Sequence, residues 1–174
     1  MNKPLDRRAF LATSAGAALV AATPALAQAS EDAKLRALLD RIFEESPERA
    51  TSLGLDKGAR ATLKSRLDDY SAAGRARRLE QTRARVAALK GINRQALSHP
   101  SKADLDTVLY GQENALAAGD RYKFGSVGGR FSPYVISQQN GAYRGVPDFL
   151  DNQHRVETAA DADAYISRLK AFAV

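Results

Sequence analysis

Between Asp32 and about Glu45, apolar residues fall at Leu35, Leu38, Leu39, Ile42 and Phe43. Steps of three and four put them on one side of a helix, which turns once every ~3.6 residues. Asp32 suits the cap, since its carboxylate can accept from unpaired amides of the first turn. Ser46 and Pro47 then stop this helix and open a short second one, with Ser46 at its cap, Pro47 first and Gly54 at a left-handed exit. A weaker stripe of Leu63, Leu67 and Tyr70 predicts helix over residues 59–70, broken by Gly74. A third helix, from about Arg75 to Lys90, carries Leu79, Val86 and Leu89 and ends at Gly91. Ser101 to Asp104 reads as a capping box ahead of Leu105, Val108, Leu109, Gln112 and Leu116, and Gly119 closes that helix.

The pattern then changes. Residues 119–145 hold six of the twelve glycines, and Ala142 is the sole alanine between positions 120 and 157. Aromatics gather instead at Tyr122, Phe124, Phe131, Tyr134, Tyr143 and Phe149. Arg121–Phe124 and Tyr134–Ser137 fit short strands or extended loops. Helix resumes behind a second capping box, Thr158 to Asp161, with a stripe of Ala162, Tyr165, Ile166, Leu169 and Phe172. No terminator stands between Phe172 and Val174, so the piece reads as cut within a helix. The fold expected is mainly α, with one irregular or short-stranded aromatic segment at about 120–145.

Composition narrows the chemistry. Alanine fills 33 of 174 positions, which favours helix. There is no cysteine, which removes disulfides, thiolate nucleophiles and cysteine metal sites together. The two histidines, His99 and His154, stand too far apart for a local metal motif. No catalytic or metal-binding residue is assigned.

The first residues look like an address. Arg7, Arg8, Phe10 and Leu11 form an Arg-Arg-x-Phe-Leu core, followed by an Ala-rich stretch and then Pro24-Ala-Leu-Ala27. A charged start, an apolar middle and a small-x-small end are the anatomy of an export signal. The core resembles the twin-arginine signal, with Asp6 where Ser or Thr is usual. Cleavage is expected after Ala27, with Ala29 as the other site. The apolar run is shorter than the roughly 20 residues that span a bilayer, so no stable membrane anchor is expected. The expected partners are the twin-arginine export machinery and a signal peptidase, and the destination is periplasmic or secreted. Residues 1–27 carry Lys3, Arg7 and Arg8 against Asp6, so the remainder keeps +4 of the chain's net +6. Its basic clusters, Arg75-Ala-Arg77-Arg78 and Arg83-Ala-Arg85, lack interleaved aromatics and read as a solvated face, with no nucleic-acid partner.

Little remains to carry catalysis. Asp151 and His154 lie three apart and could share a helix face, but capping or surface duty is the simpler reading of His154. His99, beside Pro100, reads as structural. Gly125-Ser-Val-Gly-Gly129 reads as a turn. The unusual stretch is Ser132 to Tyr143, rich in amides and hydroxyls beside aromatics, as ligand-facing loops often are.

Several stretches resemble, in order, landmarks of family 885 of the bacterial domains of unknown function. They are Leu38–Pro47 with Ala50–Asp56, Ser132–Tyr143, Val146–His154 and Ala160–Leu169. The resemblance covers most of residues 33–174, so residues 28–174 are expected to be the N-terminal part of that domain. It implies a larger all-α fold similar to gluzincin zinc metallopeptidases, whose zinc site lies far towards the C-terminus, beyond the residues present here. Zinc and a peptide substrate are thus expected for a full-length relative, and this piece is expected to be inactive. Its share is scaffold and one wall of a substrate cleft, for which Tyr134, Ser137, Gln138, Gln139 and Tyr143 are the candidates. The rival expectation is a stand-alone periplasmic helical module that binds a ligand or partner.

Overall fold

The computed structural model describes residues 7–122 and 134–173, with residues 7–23 as backbone only. It is mainly α. Six α-helices run in order: α1 (Arg7–Glu44), α2 (Pro47–Ser52), α3 (Ala72–Lys90), α4 (His99–Tyr122), α5 (Ala142–Asn152) and α6 (Ala159–Phe172). Two 3₁₀ stretches, Gly58–Ser65 and Arg94–Ala96, join them. No strand occurs among the described residues. Residues 134–140 form bends, with one bridge between Ser137 and Asn140, so the short-strand option for Tyr134–Ser137 is set aside. Arg121 and Tyr122 finish α4, while Phe124, Phe131 and Gly125–Gly129 lie outside the described residues.

Two apolar clusters organise the helices. Leu35 of α1, Leu89 of α3, Leu97 just after the second 3₁₀ stretch and Leu105 of α4 are buried together, with Leu38, Leu39, Ile92 and Val108 packed around them. Burial of each such leucine contributes about 2 kcal/mol. The apolar stripes that periodicity gives α1, α3 and α4 thus meet in one cluster. The second cluster is Val146, Phe149 and Leu150 of α5, with Leu67 and Tyr165 against it.

Between α2, the 3₁₀ stretch and α6 sits a buried cation. Arg168 is 0% exposed and is the one buried residue of α6. Its Nε donates to the Arg66 carbonyl (2.8 Å), and Nη2 donates to Thr51 Oγ1 (2.7 Å) and the Leu63 carbonyl (3.1 Å). Nη1 meets His154 Nδ1 at 2.6 Å. The Thr51 hydroxyl passes the interaction on, donating to Asp56 Oδ2 at 2.9 Å. The guanidinium also lies over the Phe149 ring, 4.8 Å from its centroid. Of the apolar stripe on α6, Tyr165 packs on the second cluster, while Ile166 (47% exposed), Leu169 (39%) and Phe172 (38%) stay uncovered, as expected of a part of a larger helical domain.

Several local expectations are corrected. Asp32 does not start a helix, because alanine-rich sequence carries α1 unbroken through it. Its carboxylate instead accepts the Ser98 amide at 3.0 Å, across the fold at the entrance to α4. That helix begins at His99, so Ser101 sits inside its first turn and forms no capping box; the Ser98 hydroxyl donates to Ser101 Oγ at 2.9 Å. Gly119 lies buried within α4 instead of ending it. Residues 59–70 form the 3₁₀ stretch and an extended run, not an α-helix, although Leu63 is buried as expected. Gly74 belongs to the first turn of α3. Ser71 Oγ accepts its amide at 3.0 Å, and a Cβ there would stand 2.3 Å from the Asp69 carbonyl oxygen. Close approach, not helix breaking, is what needs glycine at this position.

Other signals match. Pro47 opens α2 and Gly54 takes the left-handed exit (φ 68°), although the Ser46 side chain makes no capping bond. The Thr158–Asp161 box is complete: Thr158 Oγ1 accepts the Asp161 amide, and Asp161 Oδ2 accepts the Thr158 amide at 2.9 Å.

Candidate functional site

Two of the five expected cleft-wall residues, Gln139 and Tyr143, lie on one side of an open groove of about 750 Å³. On that side run Val135, Ile136, Gln139, Asn140 and Tyr143. Facing them are Arg49 of α2, Asp68 and Tyr70 of the extended run, and Arg75 and Arg78 of α3.

The loop is braced from within. Tyr143 Oη donates to the Ser137 carbonyl at 2.8 Å, and Asn140 Nδ2 donates to the Tyr134 carbonyl at 3.0 Å. Gly141 turns the chain into α5 at φ 129°, a left-handed conformation that favours glycine. Of the five expected wall residues, Gln139 and Tyr143 line the groove. Ser137 instead holds the loop together: it pairs with Asn140, and its Oγ accepts the Gln139 amide at 3.3 Å. Tyr134 is 67% exposed and Gln138 is exposed, and both stand outside the lining. Ser132 and Pro133 lie outside the described residues.

The opposite wall is an interlocked set. Glu48 Oε1 accepts the Asp68 amide at 3.0 Å, and the Tyr70 hydroxyl donates to Glu48 Oε2 at 2.6 Å. Burial pushes the carboxyls of Glu48 and Asp68 above their ordinary range, and it pushes the Tyr70 phenol strongly upward. Tyr70 therefore stays a neutral donor. Arg75 Nη1 donates to the Tyr70 carbonyl (2.7 Å) and Arg78 Nη1 to the Asp69 carbonyl (2.6 Å).

This wall is absent from the sequence-derived candidates. Arg75-Ala-Arg77-Arg78 had the look of a solvated face, yet the structure divides it. Arg75 and Arg78, three residues apart and hence on one side of α3, reach the groove, while Arg77 pairs with Asp69. In the other basic cluster Arg83 is exposed, as a solvated face requires, but both arginines are ion-paired. Arg83 pairs with Glu80 and Asp120, and the largely buried Arg85 pairs with Glu45.

His154 is neither at the surface nor paired with Asp151. It is 5% exposed, beyond the end of α5, while Asp151 is exposed. Its Nδ1 faces Arg168 and its Nε2 lies 3.1 Å from the Asp161 carbonyl. These partners set the neutral tautomer with hydrogen on Nε2. Burial and then the neighbouring guanidinium hold its pKa below the usual histidine value. His99 sits exposed in the first turn of α4. Zinc does not fit here, since both His154 nitrogens are engaged and a fixed cation lies beside them. Among the described residues no group of three or more His, Cys, Asp or Glu could hold a metal ion. No helix among them is long and apolar enough to cross a membrane.

No curated protein and no solved structure matches the chain. One family model does, that of the bacterial proteins of unknown function DUF885, over residues 47–174. The match takes in α2 to α6, both walls of the groove and the Arg168 centre. On that match the chain belongs to the DUF885 family of bacterial proteins.

Proposed function

We propose that this chain is the exported N-terminal portion of a zinc-metallopeptidase-like protein, supplying helical scaffold and one wall of a substrate cleft. The groove between Arg75 and Tyr143 carries this reading: it is open, mixed in polarity and braced on both sides before any ligand arrives. Membership of DUF885 over residues 47–174 supports its family part, and the metallopeptidase-like character is what the resemblance to that family implies. The described residues do not fit zinc, so no catalytic step is assigned to them. Export through the twin-arginine machinery rests on Arg7, Arg8, Phe10 and Leu11, with signal peptidase acting after Ala27.

A second reading is a stand-alone periplasmic helical binding module. What favours it is that no buried side-chain polar atom among the described residues lacks a partner, as expected of a unit that closes its own core. One pair of measurements tests both readings. The purified chain is incubated with a mixed peptide library and zinc to follow hydrolysis, and unfolding is followed by calorimetry. The cleft-wall reading expects saturable peptide binding without hydrolysis. Chelator-sensitive hydrolysis would refute its non-catalytic part, and absence of peptide binding would refute the cleft wall. A cooperative monomeric transition favours the module, whereas dye binding with aggregation favours the portion of a larger protein.

A further inference from the structure

The groove sets guanidinium groups that form no close ion pair against an apolar wall, with Arg78 also over the Tyr70 ring. Arg49, Arg75 and Arg78 line it and form no ion pair with any described residue. Arg75 and Arg78 each commit one N–H to a backbone carbonyl, which fixes the guanidinium and leaves its remaining donors available. Across the groove, Val135, Ile136 and Tyr143 are 39%, 68% and 52% exposed. Arg144 also lines the groove, so four arginines face two carboxylates, those of Asp68 and Asp148. The lining is net positive, but its two carboxylates disfavour a ligand of high negative charge.

We propose that this groove binds a carboxylate carried on an apolar body, with the guanidinium groups taking the oxygens and the Val135–Tyr143 wall taking the body. A fixed guanidinium offers paired donors that match a carboxylate, and the exposed aliphatic wall gains from being covered. A peptide supplies that chemistry in two ways, through its C-terminal α-carboxylate beside an aliphatic side chain or through an internal acidic side chain. The proposal rests on the cleft-wall reading and adds the chemistry of what the wall recognises.

Fluorescence anisotropy on the purified chain tests it with three hexapeptides carrying a neutral dye. One ends in leucine with a free carboxylate, the second is its C-terminal amide, and the third is that amide with an internal glutamate. The free acid or the glutamate peptide is expected to bind about tenfold more tightly than the plain amide, and whichever does so identifies the source of the carboxylate. The Arg75→Gln/Arg78→Gln double variant is expected to erase that preference. Arg49→Gln, which breaks no side-chain ion pair among the described residues, is expected to lower it about threefold and keeps the test valid if the double variant folds poorly. Equal binding of all three peptides would overturn the carboxylate proposal while leaving a peptide-binding wall. A preference untouched by the arginine substitutions would overturn it too. No saturable binding of any peptide would overturn both this and the cleft-wall reading.

Discussion

Replacing Arg168 with methionine keeps most of the side chain's volume and removes its guanidinium. Four acceptors then lose a donor: His154 Nδ1, Thr51 Oγ1 and the carbonyls of Leu63 and Arg66. Asp56, Glu48 and Asp68 lose the cation that faces them. An unpaired buried polar group costs about 1–3 kcal/mol, but relaxation and entering water keep such costs from adding fully. Breaking a buried charged network by removing one partner costs about 3–5 kcal/mol, and that is the expected loss for Arg168→Met. Against a total stability of about 5–15 kcal/mol, it is a large share. With a urea dependence near 2 kcal/mol per molar, the unfolding midpoint should fall by about 2 M in far-UV circular dichroism. Arg168→Lys keeps the charge but cannot span acceptors on both sides of a planar fork, so it should recover only part of the loss. Leu169→Ala on the same helix should cost under about 1 kcal/mol, because Leu169 is 39% exposed. The order is what matters: the polar residue should outweigh its apolar neighbour. Midpoints shifted by less than about 0.5 M in both Arg168 variants would refute its place as the hub.

Gly74→Ala should lower the melting temperature by about 3–10 °C, since its Cβ would press on the Asp69 carbonyl at 2.3 Å; an unchanged melt would show that the Asp69 backbone yields freely. His154 is held neutral below its ordinary pKa of 6.5, so on acidification the unfolded chain takes up a proton that the folded one refuses. Stability should therefore fall as pH drops below about 6.5 towards the depressed folded value, and the urea midpoint of His154→Gln should show a shallower slope there than the parent. Equal slopes would locate the titration elsewhere. Fused to a reporter that is active only after folded export, residues 1–31 should direct it to the periplasm with a new N-terminus at Gln28, and Arg7→Lys/Arg8→Lys should abolish this. Export that survives the double substitution, or that follows the unfolded-chain route, would count against the twin-arginine assignment.

Local signals were legible where both partners of an interaction lie within one or two turns. Thr158 and Asp161 are three residues apart, and their box formed as its spacing implied. The left-handed exit at Gly54 was legible for the same reason, as a property of one backbone position. The groove was half legible. Its Val135–Tyr143 side announced itself by composition, whereas its arginine side was hidden in a run of charge that looks like any solvated helix face. Only the position of Tyr70 and Asp69 relative to α3 separates Arg75 and Arg78 from Arg77.

The sequence by itself determined that the chain is mainly helical, where most helices run, and which faces of α1, α3 and α4 are apolar. Those are properties of periodicity and alanine content, set within a few residues. Tertiary structure alone decided that α6 buries Arg168 as its most enclosed side chain. An arginine can be buried only where acceptors from other segments converge on it, and here they come from positions 51, 63, 66 and 154. The same reason explains Asp32, whose carboxylate serves Ser98 and not its own helix. Hydrophobic pattern shows which face of a helix gains from leaving water, but where a polar side chain ends up depends on partners distant in sequence.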